Sequence, residues 1–271
     1  MPVPDLDLLT EAARAAGRIA LGFWRKDPRV WDKGAEHGPV TEADLAVNDM
    51  LKTRLQAARP GYGWLSEETP DDTARLDSDW VFIIDPIDGT RAFVAGEENF
   101  AHSLAVAHRG RVVAGVVYLP ALDRLYAASL DQAPTVDGAP ITASRREALA
   151  GAEILTTRPS LAPENWPGGV PDVRRNFRAS LAYRLCLAAE GRFDGMITLR
   201  PAWEWDIAAG SLIARQAGLT LTDRMGSGLT FNTAEARADG VLALPEIPHS
   251  EAMMLLHPAP RERPWNGMRP D

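Results

Sequence analysis

The chain has 271 residues, of which 45% are apolar and 24% are charged, and this composition is typical of a globular protein with a sizeable core. The formal net charge of −8 argues against nucleic acid and against an anionic membrane surface as partners. The single cysteine, Cys186, excludes a disulfide framework, and its apolar neighbours predict a buried structural residue.

The amino-terminal part of the chain predicts two amphipathic helices. Apolar residues recur at helical spacing from Leu6 to Trp24, and the charged residues among them are unlike a signal peptide. Since no apolar run reaches the length of a membrane span, we expect a cytoplasmic protein without membrane contacts. A second helix is predicted from Glu42 to Ala58, with Thr41 and Asp44 as a capping box at its start. Residues 33–39, which include two glycines and a proline, predict a mobile loop.

Short strands dominate the next part of the chain. They are predicted at 63–68, 81–85, 102–108, 112–119 and 124–128, with hairpin turns at 109–111 and 137–138. Residues 143–151 predict a polar helical segment. We take this segment as the seam between an amino-terminal lobe, residues 1–145, and a carboxy-terminal lobe, residues 146–271.

Strands and helices alternate beyond the seam. The predicted strands are 154–157, 195–199, 219–222 and 241–244, and the predicted helices are 180–190, 207–217 and 248–256. Gly191 and Gly218 end the first two of these helices. The pattern predicts sheets layered between helices, in a mixed α/β or α+β sandwich of two lobes.

Two carboxylates three residues apart stand at the end of the central predicted strand. Asp85 ends the apolar run, and we expect Pro86 to end the ladder because it has no backbone N–H. Asp88 follows, then Gly89 and Thr90, which precede a predicted helical turn whose free N–H groups attract an anion. Carboxylates that can bind a hard cation thus lie beside backbone amides that can bind a phosphate. This combination is part of a metal-dependent phosphatase site. The alternative is a strand capped by a turn, with both acids solvated.

Three further acids lie at element boundaries, where side chains from separate segments can converge. Glu67 ends its predicted strand, Asp206 precedes a helix of small residues, and Asp44 lies in the first turn of the second helix. Magnesium prefers carboxylate, water and phosphate oxygens. A capping role is the alternative for Asp206 and for Asp44.

Four segments together resemble the motifs of the inositol monophosphatase superfamily. They are Glu67–Glu68, Asp85–Thr90 and Trp205–Gly210, which are similar to the three signature motifs, and Val40–Asp44, which resembles the earlier Val-Thr-x-x-Asp element. The matches occur in family order and with family-like spacing, and they cover the chain from about residue 5 to 256. The resemblance implies the layered α-β-α-β-α sandwich of the inositol monophosphatase-like sugar phosphatases.

The resemblance also implies the ligands of two Mg²⁺ ions. Glu67, Asp85 and the carbonyl of Ile87 resemble those of the first ion. Asp85, Asp88 and Asp206 resemble those of the second, and we expect the cation to be the main contact of Asp88. Glu67 also faces a weaker third site in the family. Inhibition by lithium, which is common among family members, is expected at such a carboxylate site.

Catalytic and phosphate-binding roles are implied in the same way. Gly89 and Thr90 resemble the amides that cradle the phosphate, and Thr90 with Asp44 resembles the pair that helps to activate the attacking water. Glu67, Thr90 and Asp44 are thus the implied catalytic residues. The chain departs from the family in the loop before Val40, where many members have an acid and this chain has His37, Gly38 and Pro39. Glu36 is the acid that stands close enough in sequence to replace it.

Two readings compete with this one. Phosphatases of the haloacid dehalogenase type carry Asp-x-Asp near the start of the domain and a later lysine, whereas this chain has Asp-x-x-Asp and no lysine after Lys52. The non-enzymatic alternative is a degenerate relative that binds metal or ligand for regulation, and the complete set of acids argues against it. A homodimer is a hypothesis for the assembly that the sequence does not decide.

The resemblance implies a small phosphorylated metabolite as substrate, and two classes remain open. Inositol-specific members carry a glutamate seven residues before the last metal-binding aspartate, where this chain has Leu199. Arg91 resembles the basic residue of the 3′(2′),5′-bisphosphate nucleotidases, and Arg91 and Arg200 suit a second phosphate through charge-assisted bonds. We favour adenosine 3′,5′-bisphosphate, with inositol 1-phosphate or another polyol phosphate as the alternative. Both arginines are otherwise surface residues of an arginine-rich chain.

Overall fold

Two large β-sheets, three layers of helices and two short strand pairs make up the described part of the chain. The computed structural model describes residues 4–32, 34 and 38–258. Its helices are α1 (Asp5–Phe23), α2 (Glu42–Ala58), α3 (Thr90–Val94), α4 (Leu181–Ala189), α5 (Glu204–Gln216) and α6 (Glu246–Leu256). A ribbon of two antiparallel strands, β1 (Val30–Asp32) and β2 (Pro39–Thr41), leads directly into α2.

The larger sheet has seven strands in sequence order. They are β3 (Gly63–Ser66), β4 (Trp80–Asp88), β5 (Ala101–His108), β6 (Arg111–Leu119), β7 (Arg124–Ser129), β8 (Gln132–Val136) and β9 (Ala139–Pro140). Only β3 and β4 pair in parallel among these strands, and the other neighbouring strands pair antiparallel. The turn residues Arg109 and Gly110 both have positive φ, as do Asp137 and Gly138, so both predicted hairpin turns are confirmed.

The smaller sheet has five strands in the order β11-β10-β12-β16-β14. Its strands are β10 (Ala152–Thr156), β11 (Val173–Asn176), β12 (Gly195–Thr198), β14 (Thr220–Thr222) and β16 (Val241–Leu244). β10 pairs in parallel with both of its neighbours, whereas β16 is antiparallel to β12 and to β14. A short antiparallel pair, β13 (Ala202–Trp203) and β15 (Arg237–Ala238), lies at the start of α5.

The helices cover the sheets in the predicted layers. α1 and α2 pack on one face of the larger sheet, α4 and α5 lie between the two sheets, and α6 packs on the outer face of the smaller one. The middle layer approaches the larger sheet closely, since a Cβ on Gly115 would lie 2.9 Å from the Cα of Ala209 in α5. The α-β-α-β-α sandwich is therefore confirmed.

The predicted helices agree with the structure to within a few residues, and the capping box of α2 is present. The expectation that Pro86 ends the central strand is wrong. β4 continues to Asp88, which pairs with Ala101 after a register shift that begins at Asp85. The chain bulges at the proline and then resumes pairing, because the ladder bond that proline cannot donate is lost only locally.

The helix expected at residues 143–151 is also absent from the structure of this segment. The backbone N–H of Ala143 donates to the carbonyl of Ala217 at 3.0 Å, and the Ser144 hydroxyl donates to Asp194 at 2.7 Å. These distant partners replace the local bonds of a helix. The segment joins the last strand of the larger sheet to the first strand of the smaller one, and the division into lobes at residues 145 and 146 stays a prediction.

Part of the predicted mobile loop, residues 33 and 35–37, lies outside the described residues, and so does the proposed contribution of Glu36. Within the described chain, Pro39 already belongs to β2. Among the residues that the structure describes, no helix combines the length and the apolar character needed to cross a membrane. Cys186 is fully buried in α4, as predicted.

Candidate active site

Three carboxylates from two elements meet where β4 ends. Asp85 and Asp88 lie on either side of the bulge at Pro86, and Asp206 is the third residue of α5. One oxygen from each of the three lies within 4.8 Å of the other two. The structure therefore brings together residues more than a hundred positions apart, as the motifs predicted.

Asp85 carries the electrostatic signature of a cation site. Its side chain is 1% exposed, and none of the described residues forms a hydrogen bond with its Oδ1. Burial raises the pKa of Asp85 well above its ordinary value, and the charges of Glu67, Asp88, Asp206 and Asp44 raise it further. A buried carboxylate surrounded by other acids is unfavourable unless a cation neutralises the group. Oxygen donors of this kind fit Mg²⁺.

The amino terminus of α4 holds Asp88 in place. Its Oδ2 accepts hydrogen bonds from the Ser180 hydroxyl at 2.7 Å and from the Ala182 backbone N–H at 2.6 Å. Burial raises the pKa of Asp88, and these two hydrogen bonds oppose the rise. A helix terminus thus binds one oxygen of Asp88, and the expectation that a cation is its main contact stays a prediction.

Asp206 lies within the first turn of α5 and is not its N-cap residue. The N-cap is Trp203, whose indole can only donate hydrogen bonds. The capping alternative for Asp206 is therefore wrong, and its half-buried carboxylate is directed to the acid cluster. Burial raises the pKa of Asp206 well above its ordinary value, as do the charges of Asp88 and Glu67.

Glu67 stands just outside the three-carboxylate cluster. It follows the last residue of β3, and its backbone N–H bonds to the carbonyl of Ile84 in the neighbouring strand at 3.3 Å. Within the described chain, the group of ligand oxygens within 4.8 Å of one another does not include Glu67 or Asp44. The half-buried Glu67 nevertheless raises the pKa of both Asp85 and Asp206 through its charge.

Asn48 ties the segment after β3 to α2. The Ser66 hydroxyl donates to the side-chain oxygen of Asn48 at 2.7 Å, and the amide of Asn48 donates to Thr69 at 3.2 Å. Asn48 lies one turn after Asp44 on the same helix. This polar residue therefore fixes the position of Glu67 relative to Asp44, a role that sequence reasoning missed because a single asparagine in a helix carries no signal.

Asp44 and Thr90 lie close together, as the resemblance implied. The Thr90 hydroxyl is 3.5 Å from Asp44 Oδ1 and 3.1 Å from the carbonyl oxygen of Ile87. The other oxygen of Asp44 accepts hydrogen bonds from the backbone N–H and the hydroxyl of Thr41, at 2.8 and 2.5 Å. Asp44 thus completes the capping box, which confirms the capping alternative, and it also reaches Thr90, while its catalytic role stays a prediction.

Gly89 makes the turn from β4 into α3. Its φ of 96° lies in the left-handed region, and a Cβ there would be 3.2 Å from the carbonyl oxygen of Asn99. Glycine is therefore required at this position. Thr90 and Arg91 begin α3, so their backbone N–H groups have no acceptor within the helix.

The two predicted substrate arginines lie in different places. Arg91 is exposed and lines a cavity of about 400 Å³ beside the β1–β2 ribbon, where Gly38 is its neighbour. Arg200 is also exposed, and its charge lowers the pKa of Arg184 and of Asp206, so it stands at the edge of the acid cluster. Leu199, where inositol-specific members have an acid, is buried in the core beneath α6.

Arg184 is a functional candidate that the sequence analysis did not single out. It is buried, and it donates to the backbone carbonyls of Arg178 and Ala179 at 2.5 and 3.2 Å. Burial lowers the pKa of Arg184 to about 10, while the charges of Asp88 and Asp206 raise it. A charged residue in the middle of the apolar run 181–189 is the signal that could have found it.

Known proteins resemble this chain over nearly its whole length. The model of the inositol monophosphatase family matches residues 3–259. An inositol-1-monophosphatase of Rhizobium meliloti is 36% identical over 204 residues, which are 70% of this chain and 73% of that protein. The Nus factor SuhB of Pasteurella multocida is 32% identical over 82% of this chain and 86% of its own length.

A solved structure supports the same assignment. The inositol monophosphatase (IMPase) of Thermotoga maritima superposes with a TM-score of 0.80 at 27% identity, and the match covers 93% of this chain and 96% of that one. The fold, the acid cluster and the sequence similarity therefore all indicate the same family. The chain belongs to the inositol monophosphatase family, whose members are phosphoric monoester hydrolases.

Proposed function

We propose that the chain is a Mg²⁺-dependent phosphomonoesterase that hydrolyses a small phosphorylated metabolite with a metal-activated water. The observation that carries this proposal is the buried cluster of Asp85, Asp88 and Asp206, in which Asp85 Oδ1 lacks a hydrogen-bond partner among the described residues. Such a cluster suits divalent cations and repels substrate phosphate in their absence. Bound Mg²⁺ supplies an activated water and stabilises the charge of the leaving oxygen.

The residues that would hold the ions are those that the family motifs imply. Glu67, Asp85 and the carbonyl of Ile87 would hold one ion, and Asp85, Asp88 and Asp206 a second. A third, weaker site would involve Glu67. The hydrogen bonds from Ser180 and Ala182 to Asp88 Oδ2 support this assignment, because they hold the carboxylate beside those of Asp85 and Asp206.

The chain itself contributes proton transfer and phosphate binding. Asp44 is kept oriented by two hydrogen bonds from Thr41, so that its Oδ1 accepts from the Thr90 hydroxyl. We assign to Thr90 and Asp44 the task of orienting the attacking water and receiving its proton, beside Glu67. The backbone amides of Gly89 and Thr90, at the start of α3, would bind the phosphate.

For the substrate we propose a 3′,5′-bisphosphate nucleotide such as adenosine 3′,5′-bisphosphate. Arg200 supports this choice because its charge reaches the acid cluster while its side chain is exposed at the edge. A second, non-reacting phosphate would be attracted there. Arg91 would add a further contact, although it faces the β1–β2 ribbon rather than Asp206.

Inositol 1-phosphate is the second candidate. The names of several relatives favour it, since proteins of 36% and 33% identity are inositol-1-monophosphatases. Against it stands the buried Leu199, which offers no carboxylate for two sugar hydroxyls.

A parallel hydrolysis assay separates the candidates. Release of inorganic phosphate is measured from adenosine 3′,5′-bisphosphate and inositol 1-phosphate, with saturating Mg²⁺ and again with excess chelator. With Mg²⁺ we expect turnover of both substrates, with a higher kcat/KM on the nucleotide. With chelator we expect no turnover of either substrate. A preference for inositol 1-phosphate would replace the proposed substrate by the second candidate. Lack of turnover on a panel of phosphomonoesters would favour the regulatory relative instead.

A further inference from the structure

A buried arginine connects the segment after Glu67 with a distant part of the chain. Arg75 is 3% exposed and follows the loop that Glu67 begins. Its guanidinium forms a bidentate pair with Asp71, with Nε–Oδ1 and Nη2–Oδ2 distances of 2.6 and 2.8 Å. Asp71 therefore anchors the far end of this loop, and Thr69, bonded to Asn48 and Trp64, anchors its middle.

The same arginine reaches across to a second loop. Its Nη1 donates to the side-chain oxygen of Asn232 at 2.7 Å and to the carbonyl of Thr233 at 3.0 Å. The side-chain amide of Asn232 returns a hydrogen bond of 3.0 Å to the backbone carbonyl of Arg75. Arg75 and Asn232, 157 positions apart, are thus connected through both backbone and side chain.

Glu204 continues the network to the helix that carries Asp206. Its buried carboxylate accepts hydrogen bonds from the backbone N–H groups of Asn232 and Thr233, at 2.6 and 2.9 Å, and from the Thr233 hydroxyl at 2.6 Å. Glu204 is the first residue of α5, and Asp206 is the third. An unbroken series of hydrogen bonds therefore leads from the loop after Glu67 to the helix of Asp206.

We propose that Arg75 is a positioning residue that sets the separation of Glu67 and Asp206 and thereby the affinity of the site for Mg²⁺. The two segments enclose a cavity of about 490 Å³, lined on one side by Glu67 and Asp71 and on the other by Trp203 and Trp205. Directional hydrogen bonds, unlike apolar contacts, fix the distance across such a gap. This inference rests on the proposed metal-dependent function.

Loss of the Arg75 charge and loss of its hydrogen bonds should affect the Mg²⁺ affinity in different directions. Removing the positive charge of Arg75 should leave cation binding unchanged or tighten it if electrostatics alone matters. Loss of positioning should weaken it, because residues that orient metal ligands commonly change metal affinity ten- to a hundredfold. The variant Arg75→Met, which keeps an unbranched chain but no donor, therefore separates the two effects.

The experiment is isothermal titration of Mg²⁺ into chelator-treated protein, without substrate. We expect Arg75→Met to raise the Kd for Mg²⁺ about tenfold or more. The control is Arg59→Met, which breaks the half-buried Arg59–Asp5 pair of 2.8 Å between the C-cap of α2 and the first residue of α1. Arg59 lies fifteen residues after Asp44, about 22 Å along the helix axis, so its loss should lower the melting temperature and leave the Kd unchanged.

A second pair of variants covers the case in which Arg75→Met does not fold. The side chain of Asp71 is 39% exposed, so Asp71→Ala removes the anchor of the loop at a smaller cost in stability. Glu235→Ala removes an equal charge from the lining of the same cavity, without touching the network. We expect the Kd to rise more for Asp71→Ala than for Glu235→Ala.

The outcomes are distinct. Folded Arg75→Met that binds Mg²⁺ as tightly as the wild type, or more tightly, would overturn the inference, as would equal effects of Asp71→Ala and Glu235→Ala. A wild-type protein that does not bind Mg²⁺ would instead overturn the proposed metal-dependent function on which the inference rests.

Discussion

The carboxylate of Asp88 accepts a hydrogen bond of 2.7 Å from the hydroxyl of Ser180, which lies 92 positions further along the chain. Ser180 is also the N-cap of α4, because its hydroxyl oxygen accepts from the backbone N–H of Tyr183 at 3.0 Å. One serine thus joins the end of β4 to the middle layer of helices. The metal-binding end of the larger sheet is held by protein contacts before any cation binds.

The hydrogen bonds of Asp88 determine the effect that we expect of Asp88→Asn on folding and on kcat. The amide can turn its oxygen toward Ser180 and Ala182 and keep both hydrogen bonds, so the fold should be retained. Its NH₂ group then faces the acid cluster, where a cation ligand is needed. We expect kcat to fall about a hundredfold or more, on the order of 3 kcal/mol in the barrier. Steady-state rates at saturating Mg²⁺, with circular dichroism to check folding, measure this.

The matched control is Asp49→Asn, an identical change at an exposed position of α2. It should leave kcat and the melting temperature unchanged. If folded Asp88→Asn turned over substrate at a near-normal rate, Asp88 would only anchor the start of α4 through Ser180 and Ala182.

The layered fold was predictable because its helices and long strands carry strong periodicity. Thr41 and Asp44 predicted the start of α2 because they form a capping box. Gly218 predicted the end of α5 because glycine readily adopts a positive φ. The short strands β11, β13 and β15, of two to four residues, carry too little pattern to be recognised. Their pairing depends on distant partners.

The acid cluster was predictable for a different reason. Asp85, Asp88 and Asp206 belong to motifs whose spacing resembles a family, and the structure places them together. What the motifs could not show is the support behind them. Ser180 and Asn48 act through contacts with residues far away in the sequence, and such contacts are visible only once the chain is folded.

His102 should make the stability of the protein depend on pH. Its Nδ1 donates to the carbonyl of Pro86, and its fully buried Nε2 has no partner among the described residues. Burial lowers the pKa of His102 from 6.5 to about 4. Between these pH values the unfolded chain binds a proton that the folded chain does not. Acidification from pH 6.5 to 4 should therefore cost about 3 kcal/mol of unfolding free energy through this residue.

The comparison with His102→Asn isolates this effect. Asparagine can still donate to Pro86 but does not titrate, whereas the carboxylates titrate in both proteins. Urea unfolding in the presence of chelator should show a stability advantage of the wild type that shrinks as pH falls from 6.5 to 4. Parallel loss of stability in the two proteins would show that His102 is not the responsible group.

Activity should depend fully on Mg²⁺ and should be inhibited by lithium. Asp85, Asp88 and Asp206 leave a buried negative charge that small, hard cations can neutralise, and lithium is one of these. We expect no phosphate release in excess chelator, recovery when Mg²⁺ is restored, and inhibition by lithium but not by an equal concentration of potassium. Full activity in chelator would rule out the metal-dependent mechanism.

Arg200 offers the sharpest test of the substrate. If it holds the second phosphate of a bisphosphate nucleotide, Arg200→Ala removes a charge-assisted contact of about 1.5–3 kcal/mol. The kcat/KM on adenosine 3′,5′-bisphosphate should then fall roughly ten- to a hundredfold, and that on inositol 1-phosphate should change little.

The difference between the two substrates is the informative quantity, because a folding defect would lower both rates together. Arg145→Ala, at an exposed position in the segment that joins the sheets, controls for the loss of one surface charge and should affect neither rate. Since Arg200 lowers the pKa of Asp206, its removal also changes the acid cluster slightly, and this effect is common to both substrates. Equal losses on the two substrates would therefore assign Arg200 to the electrostatics of the metal site and would reject its role in reading a second phosphate.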